Sequence, residues 1–189
     1  MTWSFRRVTR DDFGLVGTWL ADPDVRRWWN QDPSPEGVER DFGAGVDGRE
    51  PGEDLIAELD GRPVGLLQRS RVGAYPEDLE IFERIAGPVE PGATSLDYLV
   101  GAPSDRGRGL GPVMIDAAVR STFEDPEVPY VLVAVVAVNR RSWRALERAG
   151  FRVVGSGDAE PDNPVDPPLH HVLRRDRGSP EAVPVLHQA

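Results

Sequence analysis

The segment Arg106-Gly107-Arg108-Gly109-Leu110-Gly111 has the residue types of an anion-binding turn. It follows the apolar run Leu96–Val100 and precedes Pro112–Phe123, where Val113, Met114, Ala117, Ala118 and Phe123 fall at helical spacing. A strand that turns into a helix through glycines leaves free backbone N–H groups at the positive end of the helix dipole. Phosphate binds to such a turn without any catalytic group. Glycine lets the main chain curve around the anion, and the Arg106 and Arg108 guanidiniums can pair with phosphate oxygens. The competing reading is a glycine-capped turn whose arginines are solvated. Just upstream, Asp97 lies between Leu96 and Tyr98 on the strand. A carboxylate there would face the reactive end of whatever the turn holds, attract an ammonium group and accept its proton. The plain alternative is a strand residue that points to solvent.

Composition excludes much other chemistry. The 189 residues include no cysteine, which removes disulfides, thiolate metal sites and a cysteine nucleophile. All 22 basic residues are Arg, so neither a Schiff-base lysine nor a Walker loop is available. The dinucleotide fingerprint would need a third glycine where Pro112 stands. A formal charge of −10 opposes nucleic-acid binding, which needs a basic footprint, and suits a cationic partner. The N-terminal MTWSFRR has no apolar run of a signal peptide, and Val131–Val138 is too short to span a bilayer. The expected location is the cytoplasm, with no membrane partner. At 39% hydrophobic and 29% charged, the chain reads as one folded domain over residues 1–176 and a mobile tail over 177–189.

The elements that must position these residues follow from periodicity and turn chemistry. Trp3–Val8 reads as a strand, and Thr9 with Asp12 resembles a capping box before the apolar face Phe13, Leu15, Val16 and Leu20. Ala21–Pro35, with Pro23 and Pro33, reads as broken structure, in which the adjacent Trp28 and Trp29 would face opposite ways. Ser34-Pro35 starts a second helix. Asp54–Leu59 and Pro63–Val72 flank Asp60-Gly61, a hairpin signal. A short helix is expected near Glu77–Ile85; its Glu77, Asp78, Glu80 and Glu83 read as a solvated face, or as a lure for a polycation if they lie over a binding cleft. Tyr130–Val138 reads as a strand buried on both faces, Asn139–Ala149 as an amphipathic helix capped by Gly150, and Phe151–Val154 and Leu169–Leu173 as the last strands. His170 and His171, adjacent on a strand, would point apart in structural or solvated roles rather than bind metal. The fold class is α/β: a single mixed, mostly antiparallel twisted sheet with helices on both faces.

Arg106-x-x-Gly109-x-Gly111 matches [Q/R]-x-x-G-x-[G/A], and here the sequence resembles the GNAT superfamily of acetyl-CoA-dependent N-acetyltransferases. Asn139-Arg-Arg-Ser142 with Ala149-Gly150-Phe151 resembles that family's downstream N-x-x-[SA]…G-F segment. VRRWWN (Val25–Asn30), the loop Tyr75–Pro91, SLDYLVG (Ser95–Gly101), FEDPEV (Phe123–Val128) and ERAGF (Glu147–Phe151) resemble the aminoglycoside 6′-N-acetyltransferase branch and its siderophore hydroxylysine acyltransferase relatives. The resemblance implies acetyl-CoA as cofactor, with its pyrophosphate on Arg106–Gly111 and its pantetheine arm near Leu99, Val100, Asn139 and Ser142. It places Asp97 beside the acceptor amine and Trp28, Trp29 and Tyr98 around the acceptor. A main-chain amide near Leu99 would hold the oxyanion in a direct ternary-complex attack. The sequence departs from the family pattern at two positions. Leu146 stands where many members have the Tyr that acts as general acid, and Ala134 stands where the aminoglycoside branch has an acid. The reading is therefore an acetyltransferase for a primary amine of a small cationic acceptor, an aminoglycoside or a hydroxylysine-type precursor. Its rival is a catalytically silent acyl-CoA sensor. Either would be a monomer or homodimer.

Overall fold

A run that is apolar at every position, as in Tyr130–Val136, has to be covered on both faces. The structure, a computed structural model, describes residues 1–179 and meets that requirement with one seven-stranded sheet between two helical layers. The strands are β1 (Trp3–Arg7), β2 (Glu53–Leu59), β3 (Arg62–Arg71), β4 (Thr94–Val100), β5 (Tyr130–Val136), β6 (Arg152–Asp158) and β7 (Leu169–Asp176). The helices are α1 (Phe13–Ala21), α2 (Pro23–Trp29), α3 (Pro35–Val46), α4 (Pro76–Ala86), α5 (Leu110–Thr122) and α6 (Arg140–Arg148). The sheet order is β1-β2-β3-β4-β5-β7-β6, and every neighbouring pair is antiparallel except β4–β5. The mixed, mostly antiparallel α/β sheet expected from sequence is the one observed.

Strand alternation divides the core. Val131, Val133 and Val135 of β5 join Leu96, Met114, Ile115 and Leu146 beneath α5 and α6. Tyr130 and Leu132 point the other way, to Phe82 of α4. Farther along that second face, Ile56, Leu66 and Leu99 pack with Val16, Trp19 and Phe42 of α1 and α3. Two separate apolar clusters thus share one face.

Two local features differ from expectation and one agrees with it. Ala21–Pro35 is not broken throughout, since Pro23–Trp29 is a helix. Asp22 Oδ1 accepts the Asp24 N–H at 3.0 Å as N-cap, Pro23 takes the first turn, and Asn30 closes the helix at φ 46°. The prolines flank a helix here. Thr9 and Asp12 form the expected capping box, with the Thr9 N–H and Oγ1 both 2.9 Å from Asp12 Oδ2. The start of the expected mobile tail is tied down: Arg177 donates from Nε to the Val128 carbonyl at 3.0 Å and from Nη1 to the Phe123 carbonyl at 2.7 Å. The rest of the expected tail, from 180 on, lies outside the described residues. Among the described residues no helix is long and apolar enough to cross a membrane.

Candidate active site

The one parallel junction of the sheet is also its weak point. β4 and β5 pair only at Thr94–Val131 and Ser95–Leu132, then separate. Residues of both strands beyond the split, from Asp97 and from Val133 onward, wall a cleft of about 620 Å³. On the β5 side, the backbone of residues 97–100 therefore has no strand partner.

Which amides face the gap follows from the β3–β4 ladder. Gly101 N–H donates to the Val64 carbonyl at 2.9 Å, and the register runs Gly65–Val100, Leu66–Leu99. Hydrogen-bonded pairs alternate in an antiparallel ladder, so Leu99 exchanges its bonds with Leu66. In agreement, a Cβ built on Gly65 would lie 2.4 Å from the Leu99 carbonyl oxygen. The amide expected near Leu99 is accordingly turned to β3, and the free amides toward the gap are those of Tyr98 and Val100. The Tyr98 side chain leaves on the α6 side, where its hydroxyl lies 2.8 Å from Ser142 Oγ and 3.1 Å from the Ser142 carbonyl. Burial holds that phenol well above the usual tyrosine range. Leu146 is fully buried in the core and offers nothing to the cleft.

At one end of the cleft stands the glycine turn. Gly107 and Gly109 both take positive φ, 74° and 78°, and Gly109 is the N-cap of α5 with no side-chain cap. The N–H groups of Gly109, Leu110 and Gly111 are therefore left without intrahelical acceptors, and Pro112 occupies a position where its missing N–H costs nothing. Gly107, Gly109, Leu110 and Gly111 all line the cleft. The arginines of the turn are placed differently from expectation. Arg106 donates from Nη1 to Asp22 Oδ1 at 2.6 Å and Asp24 Oδ2 at 3.2 Å, from Nε to the Val100 carbonyl at 3.1 Å, and from Nη2 to the Gly101 carbonyl. Its guanidinium is spent on protein acceptors and ties the turn to the start of α2. Arg108 is exposed and does not line the cleft. Asn139 and Ser142 line it, with Asn139 Oδ1 accepting the Ser142 N–H at 3.2 Å as N-cap of α6.

The other end is acidic. Asp97 and Asp162 line the cleft, as do Trp28 and Trp29. Desolvation pushes the Asp97 carboxyl up to about 7, and the nearby carboxylates of Asp162 and Asp78 push in the same direction. Burial also raises Asp162 and Asp78. The chain between β6 and β7 is strapped across to α2. Arg27 Nη1 donates to Asp166 Oδ2 at 2.6 Å, Asn30 Nδ2 to the Asp162 carbonyl at 3.0 Å, and Asn163 Nδ2 to the Arg27 carbonyl at 3.2 Å. Arg27 also stacks on Trp28 at 4.3 Å.

A split sheet with a glycine turn at its edge is a family signature, and comparison with known proteins agrees. The profile described as acetyltransferase (GNAT) domain matches residues 8–159. The chain belongs to the GNAT acetyltransferase family. It is 28% identical over 169 residues to an aminoglycoside N(6′)-acetyltransferase type 1 from Klebsiella pneumoniae, covering 85% of this chain and 79% of that protein. Among solved structures, AAC(6′)-Ib in complex with ribostamycin and coenzyme A superimposes with a TM-score of 0.78 at 25% identity, over 94% of each chain. A spermidine N-acetyltransferase from Vibrio cholerae, in complex with CoA and spermine, shares the fold with a TM-score of 0.71 at 13% identity, over 94% of this chain and 96% of that one.

In this GNAT acetyltransferase the structure brings together Asp97, Tyr98, Leu99, Val100, the glycine turn, Asn139, Ser142, Trp28 and Trp29 along one cleft. Both tryptophans line it because successive residues of a helix differ by about 100° in direction, not the 180° of a strand. Sequence reasoning missed Asp162, Asp166 and His170, which line the same cleft from the β6–β7 side. The density of acids in EPDNPVDPP was the available signal. His170 and His171 do point apart: His170 Nδ1 lies 2.7 Å from the Pro168 carbonyl, and His171 Nδ1 lies 2.8 Å from Ser156 Oγ. Of the acidic cluster on α4, only Asp78 is half-buried; Glu77, Glu80 and Glu83 are exposed.

Proposed function

We propose that this acetyltransferase moves an acetyl group from acetyl-CoA to a primary amine of a small polycationic acceptor of the aminoglycoside type. The observation that carries the reading is the placement of Asp97. It lies in the opened β4–β5 wedge, on the strand that leads into the glycine turn, and shares the cleft with the turn's free amides and with Asp162. The residues fit the cofactor. The Gly109, Leu110 and Gly111 amides suit a pyrophosphate, and the unpaired edge of β4 suits an amide-bearing arm such as pantetheine. Bound acetyl-CoA supplies the thioester carbonyl. The free amide of Tyr98 stands ready to stabilise charge that develops on a carbonyl oxygen in the gap. Asp97, with its carboxyl near 7, is ionised in a large share of molecules at neutral pH and can take the proton that the attacking amine must lose. Trp28 and Trp29 offer faces to an aminated ring, and Asp162 a counter-charge to its other ammonium groups. Positioning in a cleft of this kind supplies several kcal/mol of the barrier.

The relatives support this acceptor class, since the Klebsiella protein is an aminoglycoside acetyltransferase and the solved AAC(6′)-Ib holds ribostamycin. Ala134 in the cleft wall is the point of difference from that branch noted in the sequence. The test is release of free thiol from acetyl-CoA across a panel of amines: kanamycin-class aminoglycosides, spermidine, hydroxylysine and a neutral monoamine. Turnover with aminoglycosides at a kcat/KM at least about tenfold above that for the monoamine is expected, because each extra ammonium adds charge-assisted contacts. Preference for the neutral monoamine, or for hydroxylysine, would overturn the assignment.

A further inference from the structure

Asp12 and Asp105 are buried, but each is met by an arginine that stays largely in water, the side chains of Arg6 and Arg62 being 40% and 54% exposed. Among the described residues, one ion pair has both side chains less than a tenth exposed. Arg175 of β7 and Asp116 of α5 are 4% and 9% exposed. Arg175 Nη1 donates to Asp116 Oδ1 at 2.7 Å and to the Ala149 carbonyl, just past the end of α6, at 2.8 Å. Arg175 Nε is buried without a hydrogen-bond partner. A buried ion pair adds little stability unless its remaining donors are satisfied. A two-pronged grip on Asp116 would satisfy the guanidinium better. One nitrogen instead serves two helices, a geometry that favours reach over satisfaction.

The level of this contact along the sheet gives it a role. Arg175 stands opposite Val131 in the β5–β7 ladder, and Val131 opposite Thr94 in the short β4–β5 junction. The crossbar therefore lies at the closed end of the wedge. Both helices that it joins begin at the cleft, which Leu110 of α5 and Ser142 of α6 line; Arg175 and Asp116 do not line it. Met114, Ile115 and Leu146 of the two helices share an apolar cluster, and such contact is non-directional. Hydrogen bonds to one guanidinium fix distance and direction together. We propose that Arg175 and Asp116 are positioning residues: by pinning α5 to the end of α6, they set the distance between the glycine-turn amides and the start of α6, between which acetyl-CoA is held. The inference rests on acetyl-CoA lying along these two helix starts, and it adds that a contact outside the cleft governs its affinity.

Two variants pull stability and spacing apart. In D116L/R175M an apolar pair of similar volume replaces the charges, so the melting temperature should equal or exceed that of the wild type. The dissociation constant for acetyl-CoA, measured by calorimetry, should nevertheless rise about tenfold, with the acceptor KM within about twofold of the wild type. Asp116→Asn does the reverse. It keeps an oxygen for Arg175 Nη1 but leaves the buried guanidinium without a counter-charge, so it should melt lower while binding acetyl-CoA as the wild type does. The chain has no cysteine, so spin labels attached through R108C/E147C, two exposed positions outside the cleft, report the spacing directly. The distance distribution should broaden in D116L/R175M and stay unchanged in Asp116→Asn; D116L/R175L is the substitute if the first apolar pair does not fold. A wild-type distance or a wild-type affinity in the apolar variant overturns the proposal, and so does an affinity that follows melting temperature across both variants. Absence of acetyl-CoA binding by the wild type would sink the cofactor reading instead, while the label distances still test the crossbar.

Discussion

The glycine-turn end of the cleft is built largely from main chain, and the acidic end from side chains gathered from afar. At the first, Gly107 to Gly111 supply contiguous amides, and the geometry is set by two positive φ angles and the start of α5. At the second, Asp97 comes from β4, Asp162 from the β6–β7 connection and the tryptophans from α2, while Asp78 of α4 acts on Asp97 only as a nearby charge. The electrostatics differ as well. The amides carry partial positive charge whatever the pH, whereas burial raises the proton affinity of the carboxylates, and Asp162 and Asp78 raise that of Asp97 further. A cleft of this design binds one partner through fixed dipoles and the other through charges that titrate, so damage to the two ends should have separable consequences.

The largest effect is expected from Gly109→Val. Gly109 holds φ 78° at the N-cap of α5, a conformation that a β-branched residue adopts only with strain. Correcting the strain would swing the amides of the turn away from their common target. Cofactor binding should fall below detection by calorimetry, and turnover by about a thousandfold or more, since several oriented donors are lost together. Retention of cofactor affinity within tenfold would mean that the turn is not the anchor.

Asp97→Asn probes the other end and should be next in size. Loss of a general base costs about 10²–10⁴ in rate, and the cofactor dissociation constant should change less than twofold. In the wild type, kcat/KM should rise with pH through about 7, as Asp97 loses its proton, and the variant should lack that limb. Stability gives an independent reading of the same group. A carboxyl raised on folding makes the native state bind its proton more tightly than the unfolded chain does. Stability conferred by that proton is present below the unfolded value of 3.8 and is lost as pH rises through about 7. Asp97→Asn should therefore melt about 2–4 °C higher than the wild type at pH 8 and at the same temperature near pH 3. Equal melting at both pH values, with an unchanged rate profile, would remove Asp97 from the mechanism.

The contrast between the two ends also explains what was legible in the sequence. The hairpin at Asp60-Gly61, the helix starting at Ser34-Pro35 and the glycine turn were readable because each depends on residues adjacent in the chain. Asp162, Asp166 and His170 were not, because their role arises only when the β6–β7 connection is strapped to α2 by Arg27 and Asn30. The α2 helix itself was hidden by Pro23, which serves as helix initiator as readily as helix breaker. Leu99 reads from sequence as the strand residue near the oxyanion-holding amide, but its own N–H turns to β3, because peptide direction depends on ladder phase and spacing alone carries no phase.

Arg106 joins the two ends, and its variants are expected to have the smallest effect and to sharpen the comparison most. Its guanidinium binds the carbonyls of Val100 and Gly101 on the turn side and the carboxylates of Asp22 and Asp24 on the α2 side. The pairing holds the Asp22 carboxyl below its usual range. Asp22→Asn keeps an N-cap of equal quality for α2 while removing the shorter of the two ion pairs of Arg106 and leaving the one with Asp24. If Arg106 acts as a strut, that change should loosen α2 and its tryptophans, raising the acceptor KM by about fivefold to tenfold with cofactor affinity and kcat little altered, an effect of roughly 1 kcal/mol. If Arg106 were instead a phosphate ligand restrained by Asp22, the same change would free it and tighten cofactor binding, with the acceptor KM unmoved. Measuring both constants on Asp22→Asn separates these outcomes, because a strut and a ligand respond to the loss of one carboxylate in opposite halves of the cleft.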